Sequence, residues 1–293
     1  MSADFDELLA VLDLKRVDDD DFLGVHPSKN PVRTFGGQMM AQAFVASGRT
    51  LSHPVPPSTL SVHFIAGGDP EKDLEFRVVR LRDERRFANR RVDVMQDGAL
   101  LTTALVSYLA GGKGLEHGVS APAVTEPLDV PPIDELLSGY EEVVPHFANA
   151  LRPIEWRYTN DPAWIMRDKG DRLAHNRVWM TARGAMPDDP VLHAAALVYS
   201  SDTTVLDSII TTHGLSWGHD RIFAVTTNHS VWFHRPVRFD DWVLYSTTSP
   251  VAAESRGLGS GHFFDRSGQL LATVVQEGIV KYFPARATGS GSP

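Results

Sequence analysis

Two segments of this 293-residue chain recur at nearly the same spacing, which limits how the chain can fold. The segment SVHF begins at Ser61 and is similar to SVWF, which begins 169 residues later at Ser230. The segment DGALLTTALVSYL begins at Asp97 and is similar to SGQLLATVVQEGI, which begins 170 residues later at Ser267. Chance likeness between hydrophobic strands is the alternative, but two anchors at one spacing favour a duplicated structural unit.

The content of the two halves predicts one helix and several strands in each unit. In the first half, GGQMMAQAFVASG is apolar almost all round, which is typical of a helix surrounded by other structure. No Asp or Glu occurs from Thr34 to Gly68, and β-branched and aromatic segments follow, with a turn at Asp97-Gly98. In the second half, Asp189 and Pro190 are predicted to cap and begin a long helix. We therefore expect an α+β fold of two tandem units, each a long helix with a curved antiparallel β-sheet.

The composition changes between the halves and at the end of the chain. The segment GGKGLEHGVSAPAVTEPLDVPP is rich in Gly and Pro and predicts a linker over residues 113–153, with a short helix near Ile133 to Val144. The predicted domains are therefore residues 1–112 and 154–284. Residues 285–293, which include ATGSGSP, are predicted to be a disordered tail.

Charge, cysteine content and motifs argue against several classes of protein. The 28 Lys and Arg residues against 37 Asp and Glu give a net charge of −9, which disfavours a nucleic-acid partner. The absence of Cys excludes a disulfide scaffold, a thiol nucleophile and Cys-ligated metal. No GxSxG, HExxH or Walker A motif occurs, and we expect no metal and no cofactor. Because no signal peptide or long apolar run is found, we expect a cytoplasmic protein without stable membrane insertion.

Asp202 is the strongest candidate for a catalytic acid or base. If the predicted helix continues past it, Val198 and Tyr199 lie beside it, and the carboxylate projects from an apolar face. A buried carboxylate needs hydrogen-bond donors or a raised pKa, and both are common at catalytic sites. The alternative is that Asp202 caps a second helix that begins at Thr203. Asp207 lies on a threonine-rich face and is expected to be solvated.

Two strand residues and the histidines are ambiguous from pattern alone. Gln276 shares a strand face with apolar residues, where its amide could bind an anion or be satisfied by backbone groups. Thr226 is expected to open a strand, where its hydroxyl could bridge a carboxylate and a water or simply favour β structure. His229 and His234 are predicted to face opposite sides of a strand and to make a poor metal-ligand pair. His193 is expected to be a hydrogen-bonded structural residue.

Four segments resemble the type II acyl-CoA thioesterases of the TesB kind: RTFGGQMMAQAF, MPDDPVLHAAALVYSSD, NHSVWFHRP and LLATVVQEG. The resemblance extends from Phe5 to Phe283 and implies a double hotdog fold and a homo-oligomer. It also implies catalytic roles for Asp202, Thr226 and Gln276. Asn228 departs from the family, which often has Asp before His-Ser.

The resemblance implies hydrolysis of acyl-CoA to free fatty acid and coenzyme A by a water molecule that Asp202 deprotonates. Thr226 and Gln276 would position this water, and no covalent Ser or Cys intermediate would form. Because the first helix carries no carboxylate, one catalytic site per chain is expected.

Candidate substrate contacts come from the first helix and from an arginine cluster. They are Gly37, Met39, Met40, Phe44, Arg85, Arg86 and Arg90. The Met and Phe side chains would line an acyl pocket, with ordinary core packing as the alternative. The arginines would bind the phosphates of coenzyme A, with a solvated edge beside acidic residues as the alternative.

Three other functions stay open from the sequence. A hotdog hydratase or dehydratase would act on the same thioesters, but it usually needs a His beside its carboxylate. A regulatory module would bind acyl-CoA without turnover. The tripeptide Gly36-Gly37-Gln38 resembles that of peptide-release factors, but here it begins an apolar helix in an acidic chain.

Overall fold

One antiparallel sheet dominates the computed structural model, which describes residues 3–26, 33–144 and 153–284. Within these residues the sheet has 12 strands, and helices pack against it, which confirms the predicted α+β class. The predicted tail at 285–293 and the end of the predicted linker, residues 145–152, lie outside the described residues.

In each half, helical structure precedes four long strands. The described helices are α1 (Ala3–Leu12), α2 (Gly36–Gly48), α3 (Ile133–Leu136), α4 (Ala163–Lys169), α5 (Pro190–Ser201) and α6 (Asp207–Thr212), with a 3₁₀ helix at Pro127–Asp129. The first-half strands are β1 (Lys15–Arg16), β2 (Asp21–Gly24), β3 (Pro57–Phe64), β4 (Leu74–Glu84), β5 (Phe87–Gln96) and β6 (Ala99–Leu109). The second-half strands are β7 (Ile154–Tyr158), β8 (His175–Ala182), β9 (Ile222–Phe233), β10 (Val243–Ala253), β11 (Arg256–Asp265) and β12 (Leu270–Tyr282).

The strand order is the same in both halves when it is followed outward from the centre of the sheet. It is β3-β6-β5-β4-β2-β1 in the first half and β9-β12-β11-β10-β8-β7 in the second. The halves join through antiparallel pairing of β3 with β9, in which Ser61 lies opposite Ser230. The Ser230 hydroxyl donates to the Ser61 hydroxyl oxygen at 3.1 Å. The two serines that begin the repeated segment therefore meet where the halves join.

Helices α2 and α5 pack against each other in opposite directions. The start of α2 lies beside the end of α5, since the Gly37 backbone N–H reaches Asp202. The end of α2 lies beside the start of α5, since Gly48 lies against Val191. Helix α2 also packs on β4, β5 and β6, and apolar side chains of both halves form one hydrophobic core. The helix pair thus has two ends, each built from one terminus of each helix.

The start of α5 is as predicted from the sequence. Pro190 is its first residue, and the Asp189 carboxylate accepts a hydrogen bond from the Val191 N–H at 2.8 Å. Proline has no backbone N–H, but at the first helical position this costs no hydrogen bond, because an N–H there has no partner within the helix.

The end of α5 differs from the prediction. The helix ends at Ser201 and is followed by a turn, and α6 begins only at Asp207. The Thr203 hydroxyl donates to the Ser200 carbonyl of the preceding turn at 2.6 Å, which competes with helix continuation. The predictions of a mid-helix Asp202 and of a helix beginning at Thr203 are therefore both wrong. Asp202 is the residue that directly follows α5.

The segment between the halves is mostly irregular and packs on the second half. The Trp179 ring N–H donates to the Thr125 carbonyl at 2.9 Å. Helix α3 covers only Ile133–Leu136, so it is shorter than the helix expected near Ile133 to Val144. Among the helices of the described residues, none has the length and apolar character needed to cross a membrane.

Candidate active site

Asp202 lies directly after α5, partly buried against the start of α2. Its Oδ2 accepts a hydrogen bond from the Gly37 backbone N–H at 2.9 Å, and its Oδ1 accepts one from the Thr226 hydroxyl at 3.5 Å. Burial raises the pKa of Asp202 to about 6, and hydrogen bonds from Gln276, Gly37 and Thr226 oppose that rise. A carboxylate with this pKa is ionised at pH 7 and is more basic than an ordinary aspartate.

The start of α2 approaches Asp202 closely because it consists of two glycines. A Cβ atom on Gly36 would lie 2.7 Å from Asp202 Oδ2. A Cβ atom on Gly37 would lie 2.5 Å from both the Tyr199 carbonyl oxygen and the Phe35 ring. A side chain at either position would push the two helix ends apart. The partial positive charge at the start of α2 also favours the ionised form of the carboxylate.

Gln276 lies on β12, and its side chain is fully buried. Its Nε2 donates to the Thr226 hydroxyl oxygen at 2.7 Å. Because Thr226 in turn donates to Asp202, the three side chains form one connected group. The structure thus brings together the three residues singled out in the sequence, from the end of α5, from β9 and from β12.

A β-bulge turns Thr226 towards this group. In the β9–β12 pairing, Gln276 lies opposite His229. Two residues further along β12, Gly278 lies opposite Thr226, which is three residues from His229 along β9. Thr227 is the extra residue of the bulge. In a regular strand, Thr226 is three residues from His229 and would point to the opposite face. Strand β9 spans Ile222–Phe233, so the expectation that Thr226 opens a strand is wrong.

His229 belongs to the same buried cluster, although its position in the sequence indicated only a poor metal ligand. Its Nδ1 contacts Gln276 Oε1, and its Nε2 lies 2.8 Å from Ser201 Oγ. Burial lowers the pKa of His229 to about 4, so the ring is neutral at pH 7. A signal was present in NHSVWF, where strand alternation places His229 on the same face as the apolar residues Val231 and Phe233.

Asn228 and Asp207 lie outside the cluster. The Asn228 side chain donates to Glu277 Oε2 at 3.4 Å, on the opposite face of the sheet from Gln276. Asp207 was expected to be solvated, but it is 5% exposed, and its Oδ1 accepts a hydrogen bond from the Trp217 ring N–H at 2.7 Å. Burial raises the pKa of Asp207 to about 7. The expectation of a solvated Asp207 is therefore wrong, because the chain folds Trp217 over it.

Met39, Met40 and Phe44 are core residues of α2, with exposed fractions of 3%, 0% and 0%. The Phe44 ring packs against Tyr108 and Phe233, with ring centroids 6.4 Å and 5.6 Å apart. These contacts favour the core-packing alternative over an acyl-pocket role. Of the predicted contacts on α2, only Gly37 reaches Asp202.

The three candidate arginines differ in their freedom to bind a phosphate. Arg90 is fully buried, and its guanidinium donates to Thr50 Oγ1, Asp83 and three backbone carbonyls. It has no N–H left for a ligand, so the structure contradicts its assignment as a substrate contact. Arg85 and Arg86 are exposed, and within the described part of the chain no carboxylate lies within ion-pair distance of either.

Solved structures with a similar fold define the class of the protein. A protein with a hot dog fold from Alicyclobacillus acidocaldarius matches with a TM-score of 0.77 and 22% identity, covering 97% of this chain and 100% of that chain. The acyl-CoA thioesterase II TesB2 from Mycobacterium marinum matches with a TM-score of 0.77 and 29% identity, covering 96% and 99%. The chain therefore has a hotdog fold.

Sequence comparisons then identify the family. Residues 147–279 match the family described as acyl-CoA thioesterase, and residues 26–109 match the acyl-CoA thioesterase N-terminal domain. Human acyl-coenzyme A thioesterase 8 is 31% identical over 286 residues, which cover 94% of this chain and 88% of that protein. Acyl-CoA thioesterase 2 of Haemophilus influenzae is 29% identical, covering 96% and 99%. The chain belongs to the acyl-CoA thioesterase family, which confirms the family predicted from its motifs.

Proposed function

We propose that the protein hydrolyses acyl-CoA thioesters to a free fatty acid and coenzyme A, with Asp202 as the general base. Family membership supports the class of reaction. The base assignment rests on one observation: the Asp202 carboxylate lies between the end of α5 and the start of α2, where the Gly37 N–H and the Thr226 hydroxyl donate to it. Its burial there raises its pKa to about 6. Asp202 takes a proton from water, the water oxygen attacks the thioester carbonyl carbon, and the C–S bond breaks. The proton then passes to the leaving sulfur.

Thr226 and Gln276 position the attacking water in this proposal. Both side chains carry hydrogen-bonding groups that converge beside Asp202. A positioned general base contributes about 10² to 10⁴ in rate. The partial positive charge at the start of α2 would stabilise the oxyanion that develops as water adds to the carbonyl.

Each half of the chain is one hotdog unit in this proposal, and only the second carries a catalytic carboxylate. Arg85 and Arg86, exposed and free of a described carboxylate partner, remain our candidates for contacts with the phosphates of coenzyme A. We also propose association into a homo-oligomer, because outer strands β1 and β7 leave unpaired edges within the described sheet.

Thiol release from a series of acyl-CoA chain lengths tests the proposal. We expect wild-type protein to release coenzyme A and Asp202→Asn to lose most of this activity while it stays folded. Binding of acyl-CoA without thiol release would favour a regulatory module. Addition of water to a 2-enoyl-CoA without thiol release would favour a hydratase.

A further inference from the structure

We propose that His229 is a positioning residue that, together with Ser201, fixes the orientation of the Gln276 amide. In this orientation the NH₂ group of Gln276 faces Thr226 and leaves the Thr226 hydroxyl proton for Asp202. The inference rests on the proposed function, because it gives His229 a role only through the proposed general base.

Both ring nitrogens of His229 have partners inside the protein. Nδ1 contacts Gln276 Oε1, and Nε2 lies 2.8 Å from Ser201 Oγ. All three residues are 0% exposed, so their hydrogen bonds are made within the protein. On the neighbouring strand β3, the apolar residue Val62 lies opposite His229, so no charged group faces the ring from that strand.

The partners allow one consistent path of donors towards Asp202. A neutral imidazole carries a single N–H, so it donates from one nitrogen and accepts at the other. If Ser201 donates to Nε2, the His229 proton is on Nδ1 and is donated to Gln276 Oε1. The Gln276 NH₂ group then donates to the Thr226 oxygen at 2.7 Å, and the Thr226 proton is free for Asp202.

The distances also allow the reverse order of donors and acceptors, because Ser201 Oγ lies 2.7 Å from the Val198 carbonyl oxygen. If Ser201 donates there, His229 donates from Nε2, and its bare Nδ1 needs an N–H from Gln276. The amide is then reversed, and Gln276 Oε1 takes the proton of the Thr226 hydroxyl. The proposed base would lose that donor. The Ser201–His229 pair therefore decides whether the carboxylate receives a hydrogen bond from Thr226.

The first half of the chain supports a joint role for His229 and Gln276. Leu60 and His229 each directly precede one of the two serines that meet between β3 and β9. Leu60 lies opposite Val106, just as His229 lies opposite Gln276. Leu60 and Val106 are both buried and apolar. The imidazole and the amide thus occur together in the half with the carboxylate, and both are replaced by aliphatic side chains in the other half.

Charge on the ring does not enter this role. Burial lowers the pKa of His229 to about 4, below the value of about 6 for Asp202. His229 is therefore neutral wherever Asp202 is ionised. The effect depends on which nitrogen carries the proton.

Three variants separate positioning from packing. His229→Leu removes both ring nitrogens, His229→Asn keeps an N–H donor near the place of Nδ1, and Ser201→Ala removes the donor to Nε2. We expect kcat for coenzyme A release to fall about 30-fold in His229→Leu and about fivefold in Ser201→Ala, with KM changed less than about twofold. His229→Asn should return kcat to within about fivefold of wild type.

The pH dependence of kcat adds a readout that packing does not move. In His229→Leu and Ser201→Ala, the Gln276 amide is no longer held in one orientation, so the hydrogen bond from Thr226 to ionised Asp202 is weakened and the acid-side midpoint should shift to higher pH. The matched control is His193→Leu, since His193 is 1% exposed and its Nδ1 accepts a hydrogen bond from the Phe239 N–H at 3.0 Å. We expect the control to lower Tm and to leave kcat and the midpoint unchanged.

The outcomes distinguish this inference from the proposed function. Wild-type kcat and an unmoved midpoint in His229→Leu, with Asp202→Asn inactive, would overturn the positioning role alone. Equal losses in His229→Leu and His193→Leu without a pH shift would do the same. No coenzyme A release by wild-type protein would mean that the proposed function itself fails. If His229→Leu does not fold, a wild-type rate and pH profile in Ser201→Ala would overturn the inference.

Discussion

The two ends of the α2–α5 helix pair are built alike but carry different chemistry. At one end, the Gly37 N–H meets the carboxylate of Asp202. At the other end, Gly48 meets the aliphatic side chain of Val191, with 3.1 Å between that side chain and an added Cβ atom. A similar arrangement of helix ends thus holds a carboxylate at one end and apolar atoms at the other.

The strands show the same contrast. In the second half, His229 and Gln276 face each other beside the carboxylate, whereas in the first half Leu60 and Val106 occupy the corresponding pair of positions. The two halves therefore share a strand order, and in the proposed function a few residues of the second half form the site. This explains why a duplicated fold can be expected to hold one catalytic site per chain.

Asp202→Asn should have the largest effect, because it removes the proposed base. The helix end at Gly37 would then lack a carboxylate, as the helix end at Gly48 does. We expect kcat for coenzyme A release to fall about 10² to 10⁴-fold, since an amide cannot accept the proton of water. The Tm at pH 7 should stay the same or rise. The folded carboxyl has a raised pKa, so its ionised form destabilises the fold as pH rises through about 6, and the amide lacks that cost. Full turnover by a folded variant would mean that Asp202 is not the base.

Thr226→Val should have the next largest effect, and Thr102→Val, which removes a buried threonine hydroxyl from the first half, is its control. The valine keeps the shape of Thr226 and removes the hydroxyl that joins Gln276 to Asp202, so we expect a loss of about 10 to 10²-fold in kcat. Thr102 is fully buried on β6, and its hydroxyl donates to Met39 Sδ at 3.8 Å. Its variant should change Tm only. Equal kcat losses in both variants would remove the distinction between the halves.

Gly37→Ala and Gly48→Ala compare the two helix ends directly. A Cβ on Gly37 would lie 2.5 Å from the Tyr199 backbone, so the helix ends must separate and the Asp202 hydrogen bond must lengthen. We expect about a tenfold lower kcat and a lower Tm. The nearest atom to a Cβ on Gly48 is a side-chain atom of Val191, so Gly48→Ala should keep its kcat and change Tm little. Calorimetry and kinetics on both variants check this; a larger kcat loss in Gly48→Ala would contradict it.

The sequence predicted those features that depend on local pattern. Equal spacing of the repeated segments anticipated two halves with the same strand order, and Asp189-Pro190 marked the true start of α5. The family motifs also led to three residues, Asp202, Thr226 and Gln276, that the fold brings together.

The features that were missed depend on tertiary contacts. The bulge at Thr227 exists only in the pairing of β9 with β12, and no single-strand pattern contains it. Arg90 looked like an exposed cation, but Asp83 and backbone carbonyls satisfy it in the interior. Asp207 was predicted to be solvated, but in the fold the Trp217 ring covers it and donates a hydrogen bond to its carboxylate. Arg90 and Asp207 are buried because partners elsewhere in the chain satisfy their hydrogen bonds.

The pH dependence of kcat/KM tests the central claim most directly, because kcat/KM reports the pKa values of the ligand-free enzyme. Asp202 must be ionised to take a proton from water, and burial raises its pKa to about 6. For wild-type protein assayed from about pH 4.5 to about pH 8, kcat/KM should therefore fall with a midpoint near 6 as the pH is lowered. A kcat/KM that stays constant down to about pH 4.5 would contradict the assignment of this carboxylate as the base.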